Sequence, residues 1–274
     1  ANPAGVSELP PEPKMDDGYT FYRWSQTNTV NGEEFTAKTQ VPNDMTVYAV
    51  QREQYGVENS EHTVQTTYGT AGTLDLSTCV SYGGTTAEAN KFNYTIQSVN
   101  DTLGATISGD TLTVPNTANA GSYTLSITAT EKTPQISMYS LNLGTDPVTF
   151  TVRVTVEKVA SNVSTAPTAI DNLVYNKTAQ ALVNAGTATG GAMQYSTDGK
   201  NYSTDIPTGT DAKGYTVWYK VVGDSNHNDT KPESISVSIG KGSPTYTVPT
   251  NLTATYGQTL ADVTSQLGAG FSWQ

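Results

Sequence analysis

Cysteine is almost missing: Cys79 is the only one in 274 residues. No intramolecular disulfide is available, so stability has to come from apolar burial and hydrogen bonding. Cys79 itself reads as a small buried hydrophobe, since no basic neighbour in sequence would activate its thiol. Histidine is nearly as scarce, with His62 and His227 alone. Neither stands in a zinc-ligand spacing, and His62, in a polar stretch, is expected to be solvated. Positive charge is also in short supply. Fourteen Lys and Arg face 25 Asp and Glu, for a formal net charge of −11 and a pI near 4.5. Such a chain repels phosphate backbones and anionic lipid, which argues against nucleic acid as a partner. No apolar run reaches the length of about 18 residues that a membrane helix needs, so no membrane insertion is expected in this segment. GxSxG, GxGxxG and Walker patterns are absent as well. Asp16-Asp17 and Glu33-Glu34 read as solvated surface, not as a catalytic carboxylate pair. The expectation is therefore no catalytic residues, no cofactor and no enzyme.

What fills the chain is β-forming and turn-forming residues. Threonine makes up about a sixth of it, with 16 Tyr and 24 Gly. β-Branched and aromatic side chains suit a half-buried pleated surface, and Gly, Asn and Asp suit the turns between strands. Strands are expected at Tyr19–Trp24, Met45–Val50, Leu74–Tyr82, Phe92–Val99, Thr111–Val114, Tyr123–Thr130 and Val148–Val156. A further set is expected at Leu173–Tyr175, Gln180–Val183, Met193–Thr197, Tyr215–Val222 and Ser234–Ile239. The Val148–Val156 run alternates strictly, with Val148, Phe150, Val152, Val154 and Val156 on one face. Asn31-Gly32 and Asp198-Gly199 mark tight reversals. No helix is expected.

Two internal echoes organise the chain. AGSYTLSITA from Ala120 aligns with AKGYTVWYKV from Ala212, and TVRVTVEK and ISVSIGK each precede a short linker with Pro and Thr. Tyr123 and Tyr215 occupy the same place in the first echo. Both are candidates for a tyrosine corner, in which the hydroxyl bonds back to nearby backbone.

The segments divide as 1–17 extended lead-in or partial first strand region, 18–53, 58–158, 163–241, and 244–274 as the truncated start of a further β repeat with apolar alternation at Leu252, Ala254 and Tyr256. GYTFYRW (Gly18 to Trp24) with MTVYAV (ending at Val50) resembles the later half of an internalin-type B-repeat, the Listeria–Bacteroides repeat. Arg23 and Gln51 stand where that family has Gly and a second Trp. APTAIDNLVYNKTAQALVNAGTATGGAMQYSTDGKNYS and YTVWYKVVGDSNHND resemble a repeat of large surface proteins from gut Gram-positive bacteria. ISGDTLTVPNTANAGSYTLSITAT is similar to bacterial immunoglobulin-like or cadherin-like domains. These resemblances imply an all-β fold: tandem immunoglobulin-like β-sandwich modules preceded by a small β-grasp-like repeat. They also imply an extracellular, cell-wall-associated or secreted protein. The expected role is a structural stalk, a monomeric rod within a longer chain that holds a distal domain away from the cell wall. The alternatives are a binding module for host glycan, mucin or immunoglobulin, and an accessory region of a secreted glycoside hydrolase.

Two clusters are candidate sites. On the Tyr215–Val222 strand, Trp218 and Lys220 fall opposite the apolar face. With Tyr202 they could stack on a sugar ring or anchor a glycoprotein. Asp224, Asn226 and Asn228 follow an i, i+2, i+4 spacing that opens a calcium loop. Asp229 and Ile235 break the EF-hand pattern, so the competing reading is a polar hairpin whose side chains bond their own backbone.

Overall fold

The computed structural model describes residues 8–15, 19–29, 32–53, 55–57, 61–82, 85–98, 102–132 and 146–272. Asp16, Asp17 and Asn31 lie outside them. The described residues form strands and two short 3-10 turns, with no α-helix. The chain divides into two compact units. Unit 1 comprises 1–163, 188–192 and 221–231, and unit 2 comprises 164–187, 193–220 and 232–274.

Unit 1 opens with an antiparallel ribbon of β1 (Tyr19–Ser25) and β2 (Tyr48–Glu53), bulged between Phe21 and Arg23. Val50 and Phe35 are buried beneath it. The chain reverses between Ser25 and Glu34, where Phe35 N donates to Trp24 O and Gly32 N to Thr29 O. The Trp24 indole N–H, 3.2 Å from Pro10 O, ties down the extended lead-in.

The body of unit 1 is two facing sheets. Its strands are β3 (His62–Thr67), β4 (Gly72–Asp75), β5 (Phe92–Ser98), β6 (Thr106–Ser108), β7 (Thr111–Val114), β8 (Gly121–Glu131) and β9 (Val148–Glu157). One sheet runs β3-β9-β8-β5 and the other β4-β7-β6. Alternation decides the faces. Phe150, Val152, Val154 and Val156 on β9 and Leu125, Ile127 and Ala129 on β8 point inward, onto Leu112, Val114, Leu76 and Val80. Each Val, Leu, Ile or Phe among them contributes about 1.5–3 kcal/mol when fully buried. Outside, Thr128 and Thr149 face each other across the ladder, their hydroxyls 2.9 Å apart.

The expected strand Leu74–Tyr82 is broken. Leu76–Cys79 turn as a 3-10 segment because Asp75 Oδ1 accepts from Ser77 N (3.0 Å) and Ser77 Oγ (2.7 Å). A side chain that bonds its own backbone competes with the ladder. Cys79 is buried, and burial pushes its thiol up to about 11.

A second four-stranded sheet takes the order β10 (Leu173–Val174), β13 (Glu233–Gly240), β12 (Gly214–Gly223) and β11 (Gly191–Ser196), with short two-stranded ladders beside it. Leu182, Val183, Tyr195, Val217, Tyr219, Val237 and Ile239 are buried. Tyr195 Oη accepts from Gly186 N at 2.8 Å, and Tyr219 Oη donates to Glu233 Oε2 at 2.6 Å.

Residues 241–272 contain no strand, against the expectation from Leu252, Ala254 and Tyr256. Tyr246, Val248, Leu252, Tyr256 and Leu260 are exposed, and only Val263 and Leu267 are buried there. Alternation makes a strand only where a neighbour supplies ladder partners, and Pro244 and Pro249 remove two donors.

Candidate functional site

Strand β12 has the faces its sequence implies. Val217, Tyr219 and Val221 are buried, while Trp218 and Lys220 on the opposite face are half-buried. What half-buries Trp218 is the 196–203 turn, closed by paired backbone bonds between Tyr195 and Ser203. Gly199, with φ +70°, lies over the indole, and a Cβ there would stand 3.3 Å from Trp218 Cε2. Asp198 holds the turn. Its Oδ1 accepts from Lys200 N (2.8 Å), Asn201 N (2.8 Å) and Ser196 Oγ (2.7 Å), and Oδ2 accepts from Asn201 Nδ2 (2.6 Å). These bonds hold its carboxyl well below the usual carboxylate range. Lys220 Nζ lies 5.1 Å from the centroid of Tyr202, a cation–π contact. Trp218, Lys220 and Tyr202 therefore share one neighbourhood of unit 2. One indole face is stacked by Gly199 and the Tyr202 ring by Lys220.

The Asp224, Asn226 and Asn228 group lies in unit 1, where it holds the 221–231 loop. Asn226 Oδ1 accepts from Ala120 N at 2.8 Å, and its Nδ2 donates to Asn119 Oδ1 at 3.1 Å. Asp224 Oδ1 accepts from Asn226 N (2.8 Å) and pairs with His227 Nδ1 (2.7 Å); these bonds lower its carboxyl. Val159 and Ala160 pair in parallel with His227 and Asn228, and Asn228 O accepts from Ser161 Oγ at 2.5 Å. The His227 ring meets Tyr68 edge-on, with centroids 5.5 Å apart. The three side chains sit in one loop, with Asp224 and Asn226 oxygens engaged by protein donors. Among the described residues, no group of three or more His, Cys, Asp or Glu could hold a metal ion.

Tyr123 Oη donates to Asn119 O at 2.8 Å, and Tyr215 Oη to Asp211 O at 2.9 Å. Both bonds reach four residues upstream, the backward reach that defines a tyrosine corner. The acceptors were not singled out from sequence, yet NAGSY and DAKGY carry them in register. Gly209 was also missed. A Cβ there would come within 2.6 Å of the Tyr215 ring, so only glycine lets the ring lie against the short Thr208–Gly209 strand.

His62 corrects an expectation. It is not solvated but buried, its ring edge-on to Phe150 with centroids 5.5 Å apart. Position 62 is an inward register of β3, beside Val152.

Solved structures similar to the chain include protocadherin gamma B7 extracellular cadherin domains 1–4, at 11% identity and a TM-score of 0.31, covering 70% of this chain and 53% of that one. Mouse cadherin-23 EC22–24 aligns at 13% identity and a TM-score of 0.30, over 87% and 91% of the two chains. Sidekick-1 immunoglobulin domains 1–4 align at 12% identity and a TM-score of 0.23, over 88% and 75%. The chain thus spans about half of the protocadherin fragment. No protein-family description and no curated protein matches the sequence. No helix among the described residues is long and apolar enough to cross a membrane.

Proposed function

We propose that this chain is a non-catalytic spacer of a bacterial cell-surface adhesin-like protein, extracellular and carried on the wall or secreted, in which sandwich modules hold a distal domain away from the cell. The observation that carries this reading is the recurrence of one structural device. Tyr123 in unit 1 and Tyr215 in unit 2 make the same hydrogen bond, four residues back, at the start of the same kind of long strand. Repetition of a stabilising device is what a tandem array of independently cored modules requires. Polar groups in and beside the two candidate clusters support the same reading, because they fasten turns: Asp198 the 196–203 turn next to Trp218, and the candidate Asn226 the 221–231 loop. The segment boundaries at 58–158 and 163–241 belong to this proposal.

Force-extension of single chains tests it. The expected record has separate unfolding events, each lengthening the chain by one module, and no retention on an array of host glycans and mucins. A single unfolding event for the whole chain would refute modularity, and hydrolysis of any arrayed glycan would refute the non-catalytic part.

A second reading has one observation in its favour. Trp218, Lys220 and Tyr202 come together on an outer surface, an aromatic and cationic pairing suited to host glycan or glycoprotein. Retention on the same array, abolished by Trp218→Ala with the fold intact, is its expected signature.

A further inference from the structure

Residues 242–261 contain no Asp, Glu, Lys or Arg, in a chain of net charge −11. The same stretch leaves Tyr246, Val248, Leu252, Tyr256 and Leu260 exposed. Within it, the run 252–256 lies between two left-handed residues, Asn251 (φ 58°) and Gly257 (φ 92°). One edge of this run is closed by glutamine side chains. Gln266 Oε1 accepts from Thr253 N at 2.9 Å, and Gln266 Nε2 donates to Thr253 O at 2.7 Å. Gln258 Oε1 accepts from Thr255 N at 2.7 Å. A carboxamide that takes both backbone groups of Thr253 does what an antiparallel neighbour does at a hydrogen-bonded pair.

Backbone groups alternate between the two edges of an extended run, so those of Leu252, Ala254 and Tyr256 fall on the other edge. Among the described residues, no hydrogen bond engages them. Their side chains share one face, and all three residues are exposed. The run is also self-complementary. An antiparallel copy turned about Ala254 sets Ala254 opposite Ala254 and Leu252 opposite Tyr256. Small side chains then meet on the axis, and an aromatic meets an aliphatic on each side of it. Exposed edges are commonly guarded by charge, which keeps like copies apart. Here the nearest charged residues are Lys241 and Asp262, both beyond the run.

We propose that the open edge of 252–256 docks a second copy of this chain, the two runs pairing antiparallel about Ala254. Runs this short bury well under the about 1,200 Å² of a stable interface. The association is therefore weak and is strengthened where copies are held close together. The spacer reading does not depend on it, because that reading is tested on single chains.

Sedimentation of the full chain between about 10 μM and about 1 mM covers the weak range. The expected result is a weight-average mass that rises with concentration. That rise is lost in Ala254→Pro, which removes the amide on the axis, and in Ala254→Lys, which sets like charges opposite each other. Residue 254 is exposed, so both variants keep the fold, which circular dichroism checks. Val248→Lys, outside the paired run, keeps the rise. Under mild oxidation, Ala254→Cys is expected to give a disulfide-linked dimer faster than Val248→Cys. Residues of a hydrogen-bonded pair stand about 5.5 Å apart at Cα, within disulfide reach, and Cys79 is buried. A parent chain that stays monomeric at about 1 mM would overturn the proposal. A rise that survives either Ala254 substitution would overturn it by placing the contact elsewhere. A rise abolished equally by Val248→Lys would overturn it in favour of apolar clustering without a ladder.

Discussion

The corner at Tyr215 offers a prediction whose size follows from the structure. Tyr215→Phe removes one hydrogen bond, 2.9 Å to Asp211 O, and leaves the ring in place. A neutral hydrogen bond is worth about 0.5–1.5 kcal/mol net. Water can replace this partner at an exposed carbonyl, so the cost is expected near the lower end, roughly 0.5–1 kcal/mol. Gly209→Ala tests the ring instead. The new methyl would lie 2.6, 2.9 and 3.0 Å from three Tyr215 ring carbons, too close without displacement. Overpacking of this kind costs about 1–3 kcal/mol. Gly209 has no left-handed φ, so this collision is the main source of the cost. In a Tyr215→Ala background the collision is gone and Gly209→Ala becomes nearly neutral, which gives a coupling of about 1–3 kcal/mol in the double-mutant cycle. Urea unfolding followed through Trp218, on the same strand, in a background with Trp24 and Trp273 replaced by Phe reads the transition that matters. An equal cost of Gly209→Ala in both backgrounds would refute the reasoning, since the glycine would then be needed for something other than the ring.

Three further outcomes follow from named contacts. Asn226→Ala removes the bonds to Ala120 N and to Asn119, so hydrogen exchange at the Ala120 amide is expected to accelerate and unit 1 to lose about 1–2 kcal/mol; unchanged exchange there would count against the loop's anchoring role. Asp198 and Asp224 both have folded-state carboxyl values below their unfolded ones. Their contribution is therefore present above the unfolded value, near pH 4, and is lost as pH falls through the folded ones. Trp218 emission, sensitive to the turn that Asp198 holds, is expected to stay constant from neutral pH to about pH 4 and to change only below it. Cys79, buried with its thiol raised to about 11, is expected to resist maleimide in the native chain and to react only on unfolding.

Much of the fold is legible in the sequence because alternation is a direct trace of a two-sided strand. Thr111–Val114 coincides with its expected range, and β8, β9, β12 and β13 fall within two residues of theirs. The paired corners were legible because a loop-to-strand phrase is written twice. What stayed hidden depends on atoms outside the local window. Asp75 turns the chain by capping its own backbone, which hydrophobicity does not register. His62 looks polar in a polar stretch, yet its β3 register carries it inward against Phe150. Gly209 has no local reason to be glycine; the reason is a ring six residues on.

The same distinction governs how the candidate sites should be weighed. A residue type on a strand face indicates what chemistry is available there, and the contacts around it decide what that chemistry is spent on. Trp218 was singled out because an aromatic beside a lysine suits a sugar, yet its indole supports Gly199 and its lysine neighbour sits on Tyr202. Asp224 and Asn226 were singled out because their spacing opens a calcium loop, yet their oxygens accept from His227, Asn226 N and Ala120 N. A ligand that took the Gly199-covered indole face, Asp224 Oδ1 or Asn226 Oδ1 would have to displace an internal partner, and its affinity would be reduced by the free energy of that partner's contact. A spacer carries no such conflict. Its polar residues are used fully when they hold turns and loops, and a Thr-faced sheet with an apolar interior meets its physical requirements without a ligand.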